Sequence, residues 1–194
     1  MAFDLKTSRT ADGQVPGSSR IIHFYFSRAQ RQRFAHFLTQ GLAACEDVVL
    51  ACPRDNLQVF GSAVEKGSRS GNLTYVEVPC RPQSAVSSLL ASVLGCSRLH
   101  SRVRLLADFG EVRESASIAE IEFLLNSGLE GLSVPCVTQY DGKAVAGPLR
   151  VDLLRPHGLV LFDDFLYRGS SRRKNLPEED KVAAGYSARS EVPA

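Results

Sequence analysis

Polar and charged residues close or follow six short apolar segments of this sequence. Those residues are Arg28, Arg54, Asp55, Arg81, Asp108, Asp141, Lys143, Asp163 and Asp164. In an open parallel sheet, ligands bind beyond the carboxyl ends of the strands. The residues therefore predict a mixed-charge rim that holds a polar ligand. The alternative is that polar residues simply collect wherever strands run into loops.

Histidine and cysteine residues show no spacing typical of metal ligation. The sequence contains neither Cys-x-x-Cys nor His-x-x-x-His, so no metal and no other cofactor is expected. It also contains no Gly-x-Ser-x-Gly elbow and no recognisable pair of catalytic carboxylates. We therefore predict no catalytic residue. The sequence favours a binding protein over an enzyme without deciding between them.

Cys52 and Cys80 allow a different chemistry, that of a redox-sensing thiol. Each closes an apolar segment close to an arginine, Arg54 or Arg81. A neighbouring cation lowers the pKa of a thiol and raises its reactivity. The alternative is a buried and inert thiol, which suits cysteines that lie in apolar runs.

Apolar segments and amphipathic segments alternate between the two ends of the chain. Strands are expected over residues 21–26, 48–52, 73–78, 103–109, 132–140 and 159–162. Helices are expected after capping boxes at Ser27 and Ser117, from Asp55 and Pro82, and over 149–154. Glycines at 67, 95 and 128 are predicted stops. This alternation predicts a three-layer α/β/α fold with a mainly parallel sheet of about six strands.

The composition is that of a globular, soluble protein, with 44% hydrophobic and 23% charged residues among 194. A formal net charge of +2 gives no reason to expect direct binding to nucleic acid or to a membrane surface. No apolar run reaches about 18 residues and no signal-peptide pattern occurs, so a cytoplasmic location is expected. Residues 1–20 predict a flexible arm, 21–167 an ordered domain and 168–194 a flexible charged tail.

Several short motifs follow one another in a distinctive order. They are His23 to Phe26, Phe37 to Leu42 with Glu46, Val103 to Asp108, Ile121 to Asn126, Cys136 to Asp141, and His157. In this order they resemble the MEDS domain, the sensory domain of methanogens, methylotrophs and the dichloromethane-response regulator. The resemblance covers about residues 20–167. Departures are Cys45 for the glycine before Glu46, Ile121 for an aromatic residue, and Gly158 for the proline after His157.

The resemblance implies a degenerate relative of the RecA-type ATPase core found in circadian-clock kinases. In such ATPases the first strand leads into a glycine-rich loop, whose N–H groups wrap the phosphates while a lysine reaches the terminal one. Here residues 24–29 contain neither glycine nor lysine, and Tyr25 and Phe26 stand in their place. Asp108 falls where the magnesium-side aspartate would lie, but it lacks the phosphate loop as a partner. A functional P-loop is therefore not expected.

The resemblance implies a non-enzymatic sensory module that binds a small ligand and acts through a separate signalling or transcription-regulatory protein. The candidate ligand-binding residues are His23, Tyr25, Phe26, Arg28, Arg54, Asp108, Phe109, Glu122, Asp141 and His157. Glu122 and His157 equally suit a structural role, and for His23, among apolar and aromatic neighbours, the structural role is favoured over a ligand contact. The alternatives are a divergent nucleotide-binding protein that rebuilt its phosphate site from Arg28, Arg54 and Lys143, and a cysteine-based redox sensor. Homo-oligomerisation stays open.

Overall fold

A computed structural model of the chain describes residues 20–70, 72–79, 82–99, 102–145, 159–162 and 165–168. Its strands are β1 (Arg20–Tyr25), β2 (Asp47–Cys52), β3 (Leu73–Glu77), β4 (Val103–Asp108), β5 (Cys136–Asp141), β6 (Leu159–Phe162) and β7 (Phe165–Arg168). Its α-helices are α1 (Arg28–Gln32), α2 (Ala35–Ala43), α3 (Gly61–Ser70), α4 (Pro82–Leu99) and α5 (Ser115–Gly128). A 3₁₀ helix, Arg54–Phe60, leads directly into α3.

The strands form one seven-stranded sheet in the order β3-β2-β4-β5-β1-β6-β7. Strands β1 to β6 are parallel, and β7 runs antiparallel to β6 at the edge. The predicted α/β class with about six parallel strands is confirmed. The edge strand β7 was not predicted, although most of it lies within the predicted ordered domain of residues 21–167.

Each face of the sheet buries its own apolar layer. On one face Phe24 and Leu105 pack among residues of α4 and α5 such as Leu89 and Ile118. On the other face Leu50 and Leu106 pack among residues of α2 and α3, including Phe37, Leu38 and Ala63. Because successive strand residues point to opposite faces and both faces are covered, the strands are apolar throughout.

The N-cap predicted at Ser27 is confirmed, whereas the return hydrogen bond of the predicted capping box goes to Phe26, the residue before the cap. Ser27 Oγ accepts a hydrogen bond from the Gln30 N–H at 3.2 Å. Gln30 Oε1 accepts in return from the Phe26 N–H at 2.7 Å. The helix that follows differs from the prediction, since it divides at Arg33 and Phe34 into α1 and α2.

Four other predicted boundaries are wrong. Helix α3 continues through Gly67 to Ser70. Helix α5 begins at Ser115 after Glu114, so the capping box at Ser117 does not form. Helix α4 continues through Gly95 to Leu99, and Gly95 does not adopt the positive φ that is common for a glycine at a helix end. Strand β5 begins at Cys136, directly after Pro135, which has no N–H to give to a strand ladder.

In the described part of the chain, no helix is long and apolar enough to cross a membrane. The helix predicted over 149–154 lies outside the described residues, as do the arm before Arg20 and the tail after Arg168.

Candidate functional site

Three buried polar residues lie side by side on the central strands, on the sheet face covered by α1 to α3. Asp108 of β4 is in register with Gln139 of β5, and Gln139 is in register with His23 of β1. Each is 0% exposed. Registered neighbours on parallel strands point to the same face, so the three form a polar row across the sheet near its carboxyl edge.

The hydrogen bonds of Gln139 fix the roles of its neighbours. Its Nε2 lies 3.2 Å from the carbonyl oxygen of Arg31 and 2.8 Å from Nδ1 of His23. A carbonyl oxygen only accepts, so Gln139 Nε2 is the donor to both atoms. His23 Nδ1 is therefore an acceptor, and the proton of a neutral His23 ring lies on the Nε2 atom of His23. The His23 ring also packs edge-on against Phe34, with centroids 5.0 Å apart. These contacts give His23 a structural place beneath α1.

Arg31, which was absent from the predicted site, covers the end of this row. Its Nε and Nη2 lie 2.7 Å and 2.5 Å from Asp108 Oδ2. Its Nη1 donates to Asn56 Oδ1 at 3.1 Å, and the guanidinium lies 5.1 Å from the centre of the Tyr25 ring. The other carboxylate oxygen of Asp108 accepts from the Gly110 N–H at 3.0 Å. Burial raises the pKa of Asp108, while the Arg31 charge and these hydrogen bonds oppose the rise.

A cavity of about 380 Å³ opens beside Arg31 at the carboxyl edge of the sheet. Its walls come from the end of β1, the 3₁₀ helix after β2 and the turn after β5. The charged and aromatic residues in the walls are Tyr25, Phe26, Arg28, Arg31, Asp141 and Lys143. The cavity therefore combines three cations with one carboxylate and two aromatic side chains.

The loop after β1 uses two of its own N–H groups in internal hydrogen bonds. These are the N–H groups of Phe26 and Gln30. The Phe26 ring packs so closely on Gly142 that a Cβ there would lie 2.4 Å from it. In a phosphate loop such N–H groups must point at the ligand. Together with the engagement of Asp108 by Arg31, this arrangement does not fit a magnesium nucleotide bound in the usual mode.

The structure brings some of the predicted residues together and separates others. Tyr25, Phe26, Arg28 and Asp141 line the cavity, and Asp108 and His23 lie in the row beneath Arg31. Arg54 is exposed at the start of the 3₁₀ helix and does not line the cavity. His157 and Cys80 lie outside the described residues.

Phe109 and Glu122 lie on the opposite face of the sheet. The Phe109 ring stacks on Tyr140 at 5.9 Å, and the Tyr140 hydroxyl donates to Glu122 Oε1 at 2.6 Å. Burial and the Glu122 carboxylate raise the pKa of Tyr140 well above its ordinary value, so the phenol stays protonated and continues to donate. This arrangement is that of a buried structural hydrogen bond between β5 and α5.

Cys52 extends the polar row beyond Asp108. Ala51 is in register with Ala107, which places the next residues, Cys52 and Asp108, beside each other. Burial, with a smaller contribution from the Asp108 charge, raises the pKa of the Cys52 thiol to about 12. A thiol of this pKa is protonated near neutral pH and reacts slowly.

Several motif residues meet at the amino edge of the sheet, far from the cavity. Arg104 forms an ion pair with Glu46 and donates to the Phe37 carbonyl oxygen at 3.0 Å, with its guanidinium 4.9 Å from the Phe37 ring centre. A Cβ on Gly41 would lie 2.7 Å from Arg104 Cδ, which explains the glycine. These residues join α2 to the sheet and have a structural role.

No group of three or more potential metal ligands occurs among the residues for which the structure gives positions.

The parallel sheet with helices on both faces is a three-layer α/β fold, and the comparison with solved structures shows that it is RecA-like. The chain is similar to the crystal structure of a KaiC-like protein from the hyperthermophilic archaeon Pyrococcus horikoshii, with a TM-score of 0.53 over 80% of each chain. The sequence identity is 15%, so the likeness shows the fold alone. No protein-family model matches the chain, and no curated protein matches it.

Proposed function

We propose that this chain is a cytoplasmic, non-enzymatic sensory module that binds a small polar ligand in the cavity at the carboxyl edge. A separate signalling or transcription-regulatory protein would receive the signal. The ion pair between Arg31 and Asp108 is the observation that carries this proposal. It occupies the carboxylate on which a RecA-type ATPase would hold magnesium.

The cavity wall supplies binding contacts of several kinds. Arg28 and Lys143 provide positive charge, Tyr25 and Phe26 provide aromatic surface, and Asn56 provides an amide. Small-ligand pockets typically combine apolar walls with a few polar groups that orient the ligand. The resemblance to the MEDS domain supports a sensory role, because the short sequence motifs of that domain occur here in the same order.

A ligand panel tests the proposal. Thermal unfolding of the full chain would be followed with magnesium ATP, magnesium GTP, carboxylates and sugar phosphates, with phosphate release measured in parallel. We expect stabilisation by a small metabolite, no turnover, and no stabilisation by either nucleotide. The Arg28→Ala variant should show less stabilisation at the same ligand concentration, whereas Arg98→Ala, which removes an exposed cation on α4, should keep it in full.

A divergent nucleotide-binding protein is the second candidate, favoured by the RecA-like fold and by two cations in the cavity. Arg28 and Lys143 line the cavity as that candidate requires, but Arg54 does not. Stabilisation by a magnesium nucleotide, lost in both Arg28→Ala and Asp108→Ala, would establish this candidate and overturn the sensory proposal.

A further inference from the structure

We propose that the cavity binds a compact anion without a metal ion, with the Arg31 guanidinium in the place of a divalent cation beside Asp108. Arg28 and Lys143 would contact the anion directly. This inference rests on the proposed function and specifies the chemical class of its ligand.

The position beside Asp108 already holds a fixed positive charge. Both carboxylate oxygens are used, Oδ2 by Arg31 and Oδ1 by the Gly110 N–H. Arg31 is itself held by Asn56 and by the Tyr25 ring. A magnesium ion would need the carboxylate that Arg31 occupies, and its arrival would leave a guanidinium without its partner in a largely buried position. The charge that balances Asp108 is therefore part of the protein.

The remaining charges of the cavity favour an anion. Asp141 Oδ1 accepts a hydrogen bond from the Lys143 N–H at 2.9 Å. One oxygen of the Asp141 carboxylate is therefore already used within the turn after β5. Among the residues the structure describes, the side chains of Arg28 and Lys143 have no ion-pair partner, and both are exposed. The two cations are thus available to oxygen atoms of a bound phosphate or carboxylate.

The size of the cavity limits the ligand. Its volume of about 380 Å³ is near the lower end of the range of roughly 300–1,000 Å³ found for small-molecule pockets. The chemistry on the wall recognises anionic oxygen groups and does not distinguish a phosphate from a carboxylate. Two probes are therefore needed, pyrophosphate as a phosphate ligand and citrate as a carboxylate ligand.

Isothermal titration of the full chain with each probe, in EDTA and separately in magnesium chloride, tests the metal-free site. We expect at least one probe to bind in EDTA with an affinity that magnesium does not raise. Binding that appears only with magnesium, or no binding of either probe, would overturn the inference.

Three variants and one control test the residues. Arg28→Ala and Lys143→Ala should each weaken the binding by about two- to fivefold, the effect expected for exposed ion pairs, while Arg98→Ala leaves it unchanged. Asp108→Asn should strengthen the binding, because it keeps the shape of the side chain and frees the charge of Arg31. A magnesium site predicts the opposite sign for Asp108→Asn. If Asp108→Asn does not fold, as judged by circular dichroism, the Arg28→Ala and Lys143→Ala variants still test the inference, because unchanged binding in both would contradict it.

The two proposals fail in different ways. Turnover of a magnesium nucleotide would overturn the proposed function together with this inference. Stabilisation by a neutral metabolite, with no binding of pyrophosphate or citrate, would overturn this inference alone.

Discussion

The Arg31 guanidinium lies against the Asp108 carboxylate at the carboxyl edge of the sheet. Asp108 could be singled out from the sequence, because it closes a buried strand. Its partner Arg31 lies 77 residues away and has no distinguishing sequence context beyond its place after the Ser27 cap. Arg28, Asp141 and Lys143, which close or follow strands and line the cavity, were found by the general rule for parallel sheets. Arg31 was missed because only the direction of α1 turns it toward the sheet.

Cys52 gives a prediction about the stability of the protein in alkali. The native thiol has a pKa of about 12 against an ordinary value of 9.0. Between these values the unfolded chain loses a proton that the native chain keeps, so the free energy of unfolding falls as the pH rises. Cys52→Ala should reduce this fall by up to about 1.4 kcal/mol per pH unit. Urea unfolding at a series of pH values above 9 measures the slope.

Cys96→Ala is the matched control for that experiment, since Cys96 is only partly buried. The slope for Cys52→Ala is compared with the slopes for Cys96→Ala and for the unaltered chain. An equal slope for Cys52→Ala would mean that the Cys52 thiol titrates alike in both states, contrary to its burial beside Asp108.

At the scale of the elements, close approaches between helices and strands depend on particular glycines. In α3, a Cβ on Gly67 would lie 2.4 Å from Leu73 Cβ, an atom fixed to the backbone of β3. In α4, a Cβ on Gly95 would meet nothing within 4 Å. The two glycines look alike in the sequence, where both served as predicted helix stops.

Alanine substitution should therefore have opposite effects at the two sites. Gly95→Ala should stabilise the chain by about 0.5–1 kcal/mol, because alanine loses less backbone entropy in a helix. Gly67→Ala should destabilise it by about 1–3 kcal/mol through overpacking against Leu73. Chemical denaturation of both variants gives the two free energies of unfolding. Destabilisation by Gly95→Ala would mean that α4 ends at this glycine.

The motifs that carry the family resemblance also belong to this scale. Glu46 and Arg104 join α2 to the sheet at its amino edge. Glu122 of α5 accepts a hydrogen bond from the Tyr140 hydroxyl of β5. Spacing along the chain suggested that these residues matter, but it could not separate a structural contact from a ligand contact. The distinction depends on the edge and the face of the sheet where each residue lies.

For the whole molecule, β1 is the strand on which the site depends, and both of its edges must be covered. Strand β5 covers one edge and β6 the other. Leu161 of β6 is 1% exposed and packs in the apolar layer on the α2 face, with Ile21 of β1. The segment near the end of the chain therefore completes the core around the candidate site.

Leu161→Ala tests this closure. It should lower the free energy of unfolding by about 2–5 kcal/mol, the usual cost of truncating a buried leucine. Leu94→Ala, the same change at an exposed leucine of α4, should alter it by less than about 0.5 kcal/mol. Guanidinium unfolding compares the two variants. Equal and small effects would show that β6 does not complete the core in solution.

The sequence by itself determined the α/β class, the parallel sheet, and the absence of a glycine-rich loop after the first strand. Each follows from local patterns of apolar residues, caps and glycines. Only the tertiary structure decided that β5 lies between β4 and β1, and that Asp108, Gln139 and His23 form one row. It alone placed Arg31 over Asp108, and Phe109 and Glu122 on the far face. The physical reason is that strand order and helix direction arise from packing between distant segments, whereas propensity and periodicity act over a few neighbouring residues.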